Sequence, residues 1–85
     1  MIKHKYVRHS VAGFILWPYN DNLFHKHIGD ALRYSDLPRD SKIISAGFAY
    51  ISPDEVVCNG RSESLRIDSR PDDSAALAKQ LGRAA

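Results

Sequence analysis

What this sequence lacks narrows the classes of protein to which it belongs. It has one cysteine, Cys58, so it forms no internal disulfide, and no apolar run approaches the length needed to cross a bilayer. The opening residues Met1 to Lys5 enter a strand-like segment without the apolar stretch of a signal peptide. We therefore expect a protein of a reducing cytoplasm with no membrane partner.

The chain also lacks a strong excess of charge of either sign. Twelve Lys and Arg residues stand against ten Asp and Glu residues, which gives a formal net charge of +2. DNA and RNA could contact the basic residues of the first third, which are Lys3, Lys5, Arg8 and Lys26. Nucleic-acid-binding domains are usually more basic, with clustered cations and interleaved aromatics, so this composition keeps nucleic-acid binding as an alternative only.

The size and composition predict one folded domain over residues 1–85. Hydrophobic residues make up 44% of the chain and charged residues 26%, which is ordinary for a globular protein. A domain of this size has a modest core, and sharing a surface with a second copy is a common way to stabilise it. We therefore expect a homodimer.

The first half of the chain predicts two strands and a helix. Lys5 to Ser10 and Gly13 to Trp17 are strand-like, and the continuous apolar run of the second predicts burial on both faces. A helix is expected from Leu23 to Tyr34. Its candidate caps are Asn20, Asp21 and Asn22, and its apolar stripe consists of Phe24, Ile28, Ala31 and Leu32.

The second half predicts two or three strands and a closing helix. Lys42 to Ile51 alternates like a strand, and Ser52 to Glu55 forms a turn into Val56 to Cys58. At Asn59-Gly60 the sequence fits either a hairpin turn into a strand from Arg61 to Ile67 or a bulge inside one longer strand.

The closing helix has signals at both ends. Ser69 is the expected cap, with Pro71 and two carboxylates in the first turn, and Gly82 suits a left-handed exit. Leu77, Ala78 and Leu81 form its apolar stripe. The predicted fold is therefore α+β: a small antiparallel sheet of four or five strands with two helices packed on one face, in the order ββαββ(β)α.

The residue types that carry catalysis are not arranged in a familiar pattern. His25 and His27 are two residues apart, so on a helix they point about 200° apart and cannot bind one metal ion. Cys58 follows two valines, as a buried thiol does, and no catalytic triad or nucleotide-binding loop is apparent. We therefore predict a protein that is not an enzyme and holds no metal or cofactor.

One group of polar residues has the chemistry of an anion site. Arg61, Ser62 and Ser64 follow Gly60, and Arg70 lies at the start of the closing helix. The alternative is that Arg70 pairs with Asp72 or Asp73, while both serines face water.

Three segments of the second half carry a resemblance. Ile44 to Phe48, Gly60 to Leu65 and Ser69 to Asp73 resemble a pattern in short uncharacterised accessory proteins encoded by phages and prophages of Gram-negative bacteria. The resemblance implies a bacterial host cytoplasm and a protein that blocks, sequesters or redirects a host factor, including components of antiviral defence. It implies no catalytic residue.

These observations predict a non-enzymatic protein that occupies a surface of a host protein. The expected contacts are Arg61 and Arg70 as charged groups and Tyr19, Tyr34 and Trp17 as aromatic groups, although Trp17 is equally suited to the core. The alternative function is a sponge for a small anionic, nucleotide-like ligand, bound at a dimer seam lined by Arg61, Ser62, Ser64 and Arg70.

Overall fold

Four antiparallel strands form the main sheet of the computed structural model, which describes residues 2–19 and 22–83. The strands lie in the order β2-β1-β3-β4 and comprise β1 (Ile2–His9), β2 (Gly13–Pro18), β3 (Ile43–Ile51) and β4 (Val56–Asn59). Short hairpins join β1 to β2 and β3 to β4, while the long central strands β1 and β3 pair with each other. The predicted α+β class and four-stranded antiparallel sheet are confirmed.

The two helices lie on opposite faces of this sheet, so the prediction that both pack on one face is wrong. Helix α1 spans His25–Arg33 and helix α2 spans Asp73–Gln80. Neighbouring strand residues point to opposite faces, and Tyr6 and Val7 are both fully buried. Tyr6 packs with Leu77 of α2, whereas Val7 belongs to the cluster against which α1 packs.

Each face therefore has its own small core. On the α2 side, the core consists of Tyr6, Phe14, Ala49 and Leu77. On the α1 side, it consists of Val7, Trp17 and Ala46, with Ile28 and Leu32 of the helix packed against them. Strand β2 contributes Phe14 to one core and Trp17 to the other, as its continuous apolar run predicts.

After β4 the chain leaves the main sheet and forms a separate two-stranded ribbon. Its strands are β5 (Arg61–Ser62) and β6 (Ile67–Asp68). Gly60, at the exit, has a φ of 82°, and a Cβ there would lie 2.9 Å from Cδ2 of Phe48. Neither sequence-based expectation holds at this point, because β5 neither pairs with β4 nor continues it.

The helix ends follow the sequence signals only in part. Phe24 is the N-cap of α1, so Asn22 is not, and Asn20 and Asp21 lie outside the described residues. The N-cap of α2 is Asp72 rather than Ser69. At the other end Gly82 has a φ of 79°, and the amide of Arg83 donates to the carbonyl of Ala78, which confirms the predicted left-handed exit.

Helix α2 also covers backbone groups of both outer strands. The Gln80 side chain accepts from the amide of Phe14 in β2 at 2.8 Å and donates to its carbonyl at 3.0 Å. At the first turn of the same helix, Ser74 Oγ accepts from the amide of Cys58 in β4 at 2.8 Å. These bonds occupy edge groups that could otherwise pair with a strand of another molecule.

The fully buried carboxylate of Asp73 joins α2 to the sheet. It accepts hydrogen bonds from the Tyr6 hydroxyl, Ser45 Oγ, Arg8 and the amide of Arg70. Burial alone raises the pKa of a carboxyl group, but these bonds outweigh it and hold the pKa of Asp73 below its ordinary 3.8. Asp73 is therefore ionised at neutral pH, and its charge is compensated inside the protein.

We expect Asp73→Ala to lower the free energy of unfolding by about 3 kcal/mol or more, because it leaves two buried hydroxyl groups without their acceptor and removes one of the two carboxylates that pair with Arg8. Urea unfolding measures this difference. Since the folded pKa is the lower one, the contribution is complete above pH 3.8 and is lost as the pH falls below it.

The matched control is Asp72→Ala. Asp72 also pairs with Arg8 at 3.0 Å, but its side chain is 65% exposed, so we expect a loss of about 1 kcal/mol or less. Equal losses for the two variants would contradict a special role for the buried carboxylate.

Candidate functional site

Lysine and aromatic side chains share the sheet face on which α1 packs. Lys3 and Lys5 alternate along β1, and the strand register places them opposite Tyr50 and Phe48 of β3. Their four side chains therefore project from the same face. The register, more than the sequence of either strand, creates this combination.

Lys3 sits over a group of rings. Its Nζ lies 3.9 Å from the centroid of Tyr19, 4.7 Å from that of Phe48 and 5.7 Å from that of Tyr50. Tyr19 and Phe48 also meet edge to face, with centroids 5.8 Å apart. A cation held within about 6 Å of ring faces is attracted by their negative quadrupole, so Lys3 and the rings order one another.

Lys5 fixes the segment that leads into α1. Its Nζ donates to the carbonyl of Leu23 at 2.9 Å, and Nε1 of Trp17 donates to the same oxygen at 3.0 Å. Next to this anchor, Phe24 is 55% exposed and has its ring 5.4 Å from Nζ of Lys5. A large aromatic side chain is thus held in solvent beside a buried ammonium group.

His25 packs against the buried side of the aromatic rings. Its Nε2–H donates to the carbonyl of Gly47 at 2.9 Å, and its ring packs edge-on against Trp17 and Phe48. Burial is the largest effect on this group, and together with the charge of Lys5 it lowers the pKa of His25 below its ordinary 6.5. A neutral imidazole is therefore part of the packed base of the site.

The ribbon borders the same region. Ser64 Oγ accepts from the amide of Lys26 at 3.2 Å, which ties the ribbon turn to the first turn of α1. Arg61 lies beside it, with Nε 3.3 Å from Asp68 and 3.9 Å from Glu63, both of which are largely exposed.

These elements enclose a shallow depression of about 900 Å³, with Arg61, Glu63 and Ser64 on one side and Tyr19, Phe24 and Phe48 on the other. We call the surface around it the aromatic–basic face. It comprises Tyr19, Phe24, Phe48 and Tyr50 together with Lys3, Lys5, Lys26 and Arg61.

The structure brings together three of the residues that the sequence suggested as contacts. Tyr19, Arg61 and Ser64 all lie at the depression, and Tyr19 is 44% exposed. Tyr34 is 87% exposed but follows the opposite end of α1. Arg70 is exposed and is not among the residues that line the depression.

Trp17 and Ser62 are buried, so neither is a contact residue. Trp17 belongs to the α1-side core, the alternative that its sequence context also allowed. Ser62 is fully buried and accepts from the amide of Leu65 at 3.1 Å, which shapes the ribbon turn. Because Ser62 is buried, it neither lines the predicted anion site nor faces water, and both predictions are wrong.

The carboxylates at the start of α2 pair with Arg8 rather than with Arg70. Arg8 lies 3.0 Å from both Asp72 and Asp73, whereas the backbone amide of Arg70 makes the bond to Asp73. The predicted pairing of the Arg70 side chain is therefore wrong. The compensating charge comes from Arg8, which is far from α2 in the sequence, so no local sequence pattern indicates this pairing.

The thiol and the imidazoles occupy structural positions. Burial raises the pKa of Cys58 to about 11, so the thiol is protonated at neutral pH. His27 Nδ1 accepts from the amide of Phe24, while His25 faces Gly47. Within residues 2–19 and 22–83, no three His, Cys, Asp or Glu side chains are grouped closely enough to hold a metal ion.

Sequence reasoning did not recognise Phe24 and Phe48 as parts of a surface. Helical spacing predicts Phe24 in the apolar stripe of α1, and strand alternation predicts Phe48 on one face of β3. The available signal was the two-residue spacing of Lys3 and Lys5, which places both lysines on one face of β1, where their long apolar stems can cover aromatic rings.

Comparisons with family models, with curated proteins and with solved structures find no significant match to this chain. In the part of the chain that the structure describes, no helix is long and apolar enough to cross a membrane.

The position of His25 predicts a pH-dependent stability. Its folded pKa is below 6.5, so the stabilisation by neutral His25 is complete above that pH and declines as the pH falls below it. One such group changes the free energy of unfolding by at most about 1.4 kcal/mol per pH unit. Urea unfolding of the wild type and of His25→Gln at several pH values measures it.

His25→Gln keeps an amide that can donate to Gly47 but removes the titrating ring. We expect this variant to lose less stability than the wild type on acidification below pH 6.5. Identical slopes for the two proteins would contradict the assignment.

Proposed function

We propose that the chain is a non-enzymatic binding protein that occupies an acidic surface of a partner protein through its aromatic–basic face. The observation that carries the proposal is the combination of two exposed aromatic side chains, Tyr19 and Phe24, with ordered lysines around them. Aromatic anchors surrounded by charged groups are typical of protein interfaces. Lys26 extends the positive charge along the depression, and Arg61 lies there too, paired with Glu63 and Asp68.

The resemblance in the second half of the chain supports a more specific form of the proposal. We propose that the protein is a phage or prophage accessory protein that acts in the bacterial cytoplasm on a host factor, such as a component of antiviral defence. A homodimer remains part of the proposal, because a domain with two small cores gains stability from a shared surface. Its molar mass in solution, measured by light scattering, tests that part.

A sponge for a small anionic ligand has less support. Such a site needs converging arginines in a concavity, whereas only Arg61 of the two predicted arginines lines the depression. Asp68 and Glu63 also lie beside Arg61 and reduce its attraction for an anion. Ser62, the third predicted ligand, is buried beneath the turn.

Single-stranded nucleic acid is also less well supported by the ring geometry. Bases stack on open aromatic faces, but the ammonium of Lys3 lies over the face of Tyr19 at 3.9 Å. Tyr19 is further held by the edge-to-face contact with Phe48. A partner protein can contact the exposed edges and cations without displacing Lys3.

Site-specific photocrosslinking tests the proposal. A photoreactive phenylalanine analogue replaces Tyr19, or Tyr34 as the matched control, and the two proteins are irradiated in nuclease-treated bacterial lysate. We expect the Tyr19 position to crosslink a defined protein that the Tyr34 position does not. Equal crosslinking yields at the two positions would contradict the proposal. So would crosslinks to nucleic acid alone when the irradiation is repeated in lysate that has not been treated with nuclease.

Charge reversal then tests the surface with the partner in hand. Lys26→Glu places a negative charge on the aromatic–basic face, and Lys79→Glu places the same charge on α2 at the other side of the sheet. We expect Lys26→Glu to weaken binding by about tenfold or more, since like charges at an interface are repulsive, and Lys79→Glu to leave it unchanged. Affinity measured at two salt concentrations gives the result.

A further inference from the structure

A second depression lies at the other end of α1 and holds a hydrogen-bond donor without a partner. It has a volume of about 850 Å³ and is bounded by α1, the 35–42 loop, the start of β3 and the ribbon. Its apolar lining consists of Leu32, Leu37, Ile43, Leu65 and Ile67. We call it the α1 groove. It is separate from the aromatic–basic face, so its occupant is a question independent of the function proposed above.

His9 lines this groove in a fixed tautomer. The side chain is 95% buried, since its relative exposure is 5%, and its Nδ1 accepts from the amides of Val11 and Ala12 at 3.1 and 3.0 Å. A ring nitrogen that accepts two amide hydrogens carries no proton, so the proton of the neutral ring is on Nε2.

Nε2 of His9 makes no hydrogen bond within the described residues. The one fully enclosed side-chain nitrogen or oxygen there that lacks a partner is Nδ1 of His4, so Nε2 of His9 retains contact with solvent. Because Nδ1 faces the β1–β2 hairpin, the opposite edge of the ring is the one available to the groove. A donor on a largely buried ring, held in one orientation and without a partner in the protein, is suited to an external acceptor.

Three cationic side chains line the groove together with His9. The strand register places His9 opposite Ile43, and the amide of Ser10 donates to the carbonyl of Lys42, so Lys42 lies next to His9. Arg33 and Arg39 also line the groove. None of these three side chains forms an ion pair with another described residue.

Two carboxylates, Asp30 and Asp36, lie on the same rim. Three cations against two carboxylates leave a small positive excess and a mixed-charge border. This border is unsuited to a polyanion but suits a peptide, which presents both donors and acceptors. The apolar lining fits an aliphatic side chain, and the unpaired N–H with Lys42 fits a carboxylate.

We propose that the α1 groove binds the carboxyl terminus of a peptide whose last residue is aliphatic. The terminal carboxylate accepts from Nε2–H of His9 and lies near the ammonium of Lys42. The last side chain lies on Ile43 and Ile67, and the preceding backbone runs along the rim.

Titration of the ¹⁵N-labelled chain, followed by NMR, tests this proposal. The probe is an N-acetylated pentapeptide that ends in leucine with a free carboxylate, and its matched control is the same peptide with a C-terminal amide. We expect the peptide with the free carboxylate to shift the amide signals of His9, Lys42 and Ile43. We expect the peptide with the C-terminal amide to bind at least about tenfold more weakly. Equal affinities, or no binding of either peptide, would overturn the proposal.

Decanoate is the third probe, because it carries the same carboxylate and an aliphatic body without a peptide backbone. Tighter binding of decanoate than of the pentapeptide would assign the groove to fatty acids and overturn the peptide assignment. Weaker binding supports it.

His9→Asn separates the donor from the structural role of the ring. Asn Oδ1 can accept from the amides of Val11 and Ala12 as Nδ1 does, but the donor at the Nε2 position is lost. We expect unchanged thermal unfolding and about tenfold weaker binding of the peptide. Lys42→Gln is the second variant; the Lys42 side chain forms no hydrogen bond or ion pair with another described residue, and we expect its loss to weaken binding likewise. A folded variant of either kind with wild-type affinity would overturn the proposal.

Discussion

The buried carboxylate of Asp73 is the interaction on which the arrangement of this small domain depends. It lies at the beginning of α2 and accepts from β1 through Tyr6 and Arg8 and from β3 through Ser45. Burying a charge is costly, and the cost is offset here because several donors and one guanidinium converge on it. An apolar contact could hold α2 against the sheet at many angles, but this set of directional bonds selects one orientation and one position.

With α2 fixed on one face, the opposite face is left to α1 and the ribbon, which together cover it incompletely. Two open regions result, one at each end of α1. The aromatic–basic face lies where Lys26 and Ser64 join the helix to the ribbon turn, and the α1 groove lies where Ile43 and Ile67 are only half covered. A nine-residue helix is about 13 Å long, which is too short to close the face of a four-stranded sheet. Incomplete cover is thus a direct result of element length.

The sequence predicted elements better than it predicted their relations. Strand alternation, the proline after Trp17 and the glycine at position 82 are local signals, and the elements they indicate are present. The position of α1 relative to α2 depended on the alternate burial of Tyr6 and Val7, and both residues are apolar, so the pattern could not show which helix covers which. Among the predicted contact residues, Tyr19 and Arg61 line one depression because of the pairing of the strands and the exit at Gly60. These features arise from pairing between distant segments, which single-sequence patterns do not encode.

The hydrogen bonds from Ser74 and Gln80 to the outer strands have a consequence for folding during synthesis. Every strand of the main sheet precedes α2 in the chain, so a ribosome completes the sheet-forming segments before it makes the residues that cover their edges. Until then the backbone groups of Phe14 and Cys58 have no intramolecular partner and are open to strands of other nascent chains. Polysomes bring such chains close together. Any state in which α2 is detached from the sheet therefore exposes both of its edges and is prone to aggregate.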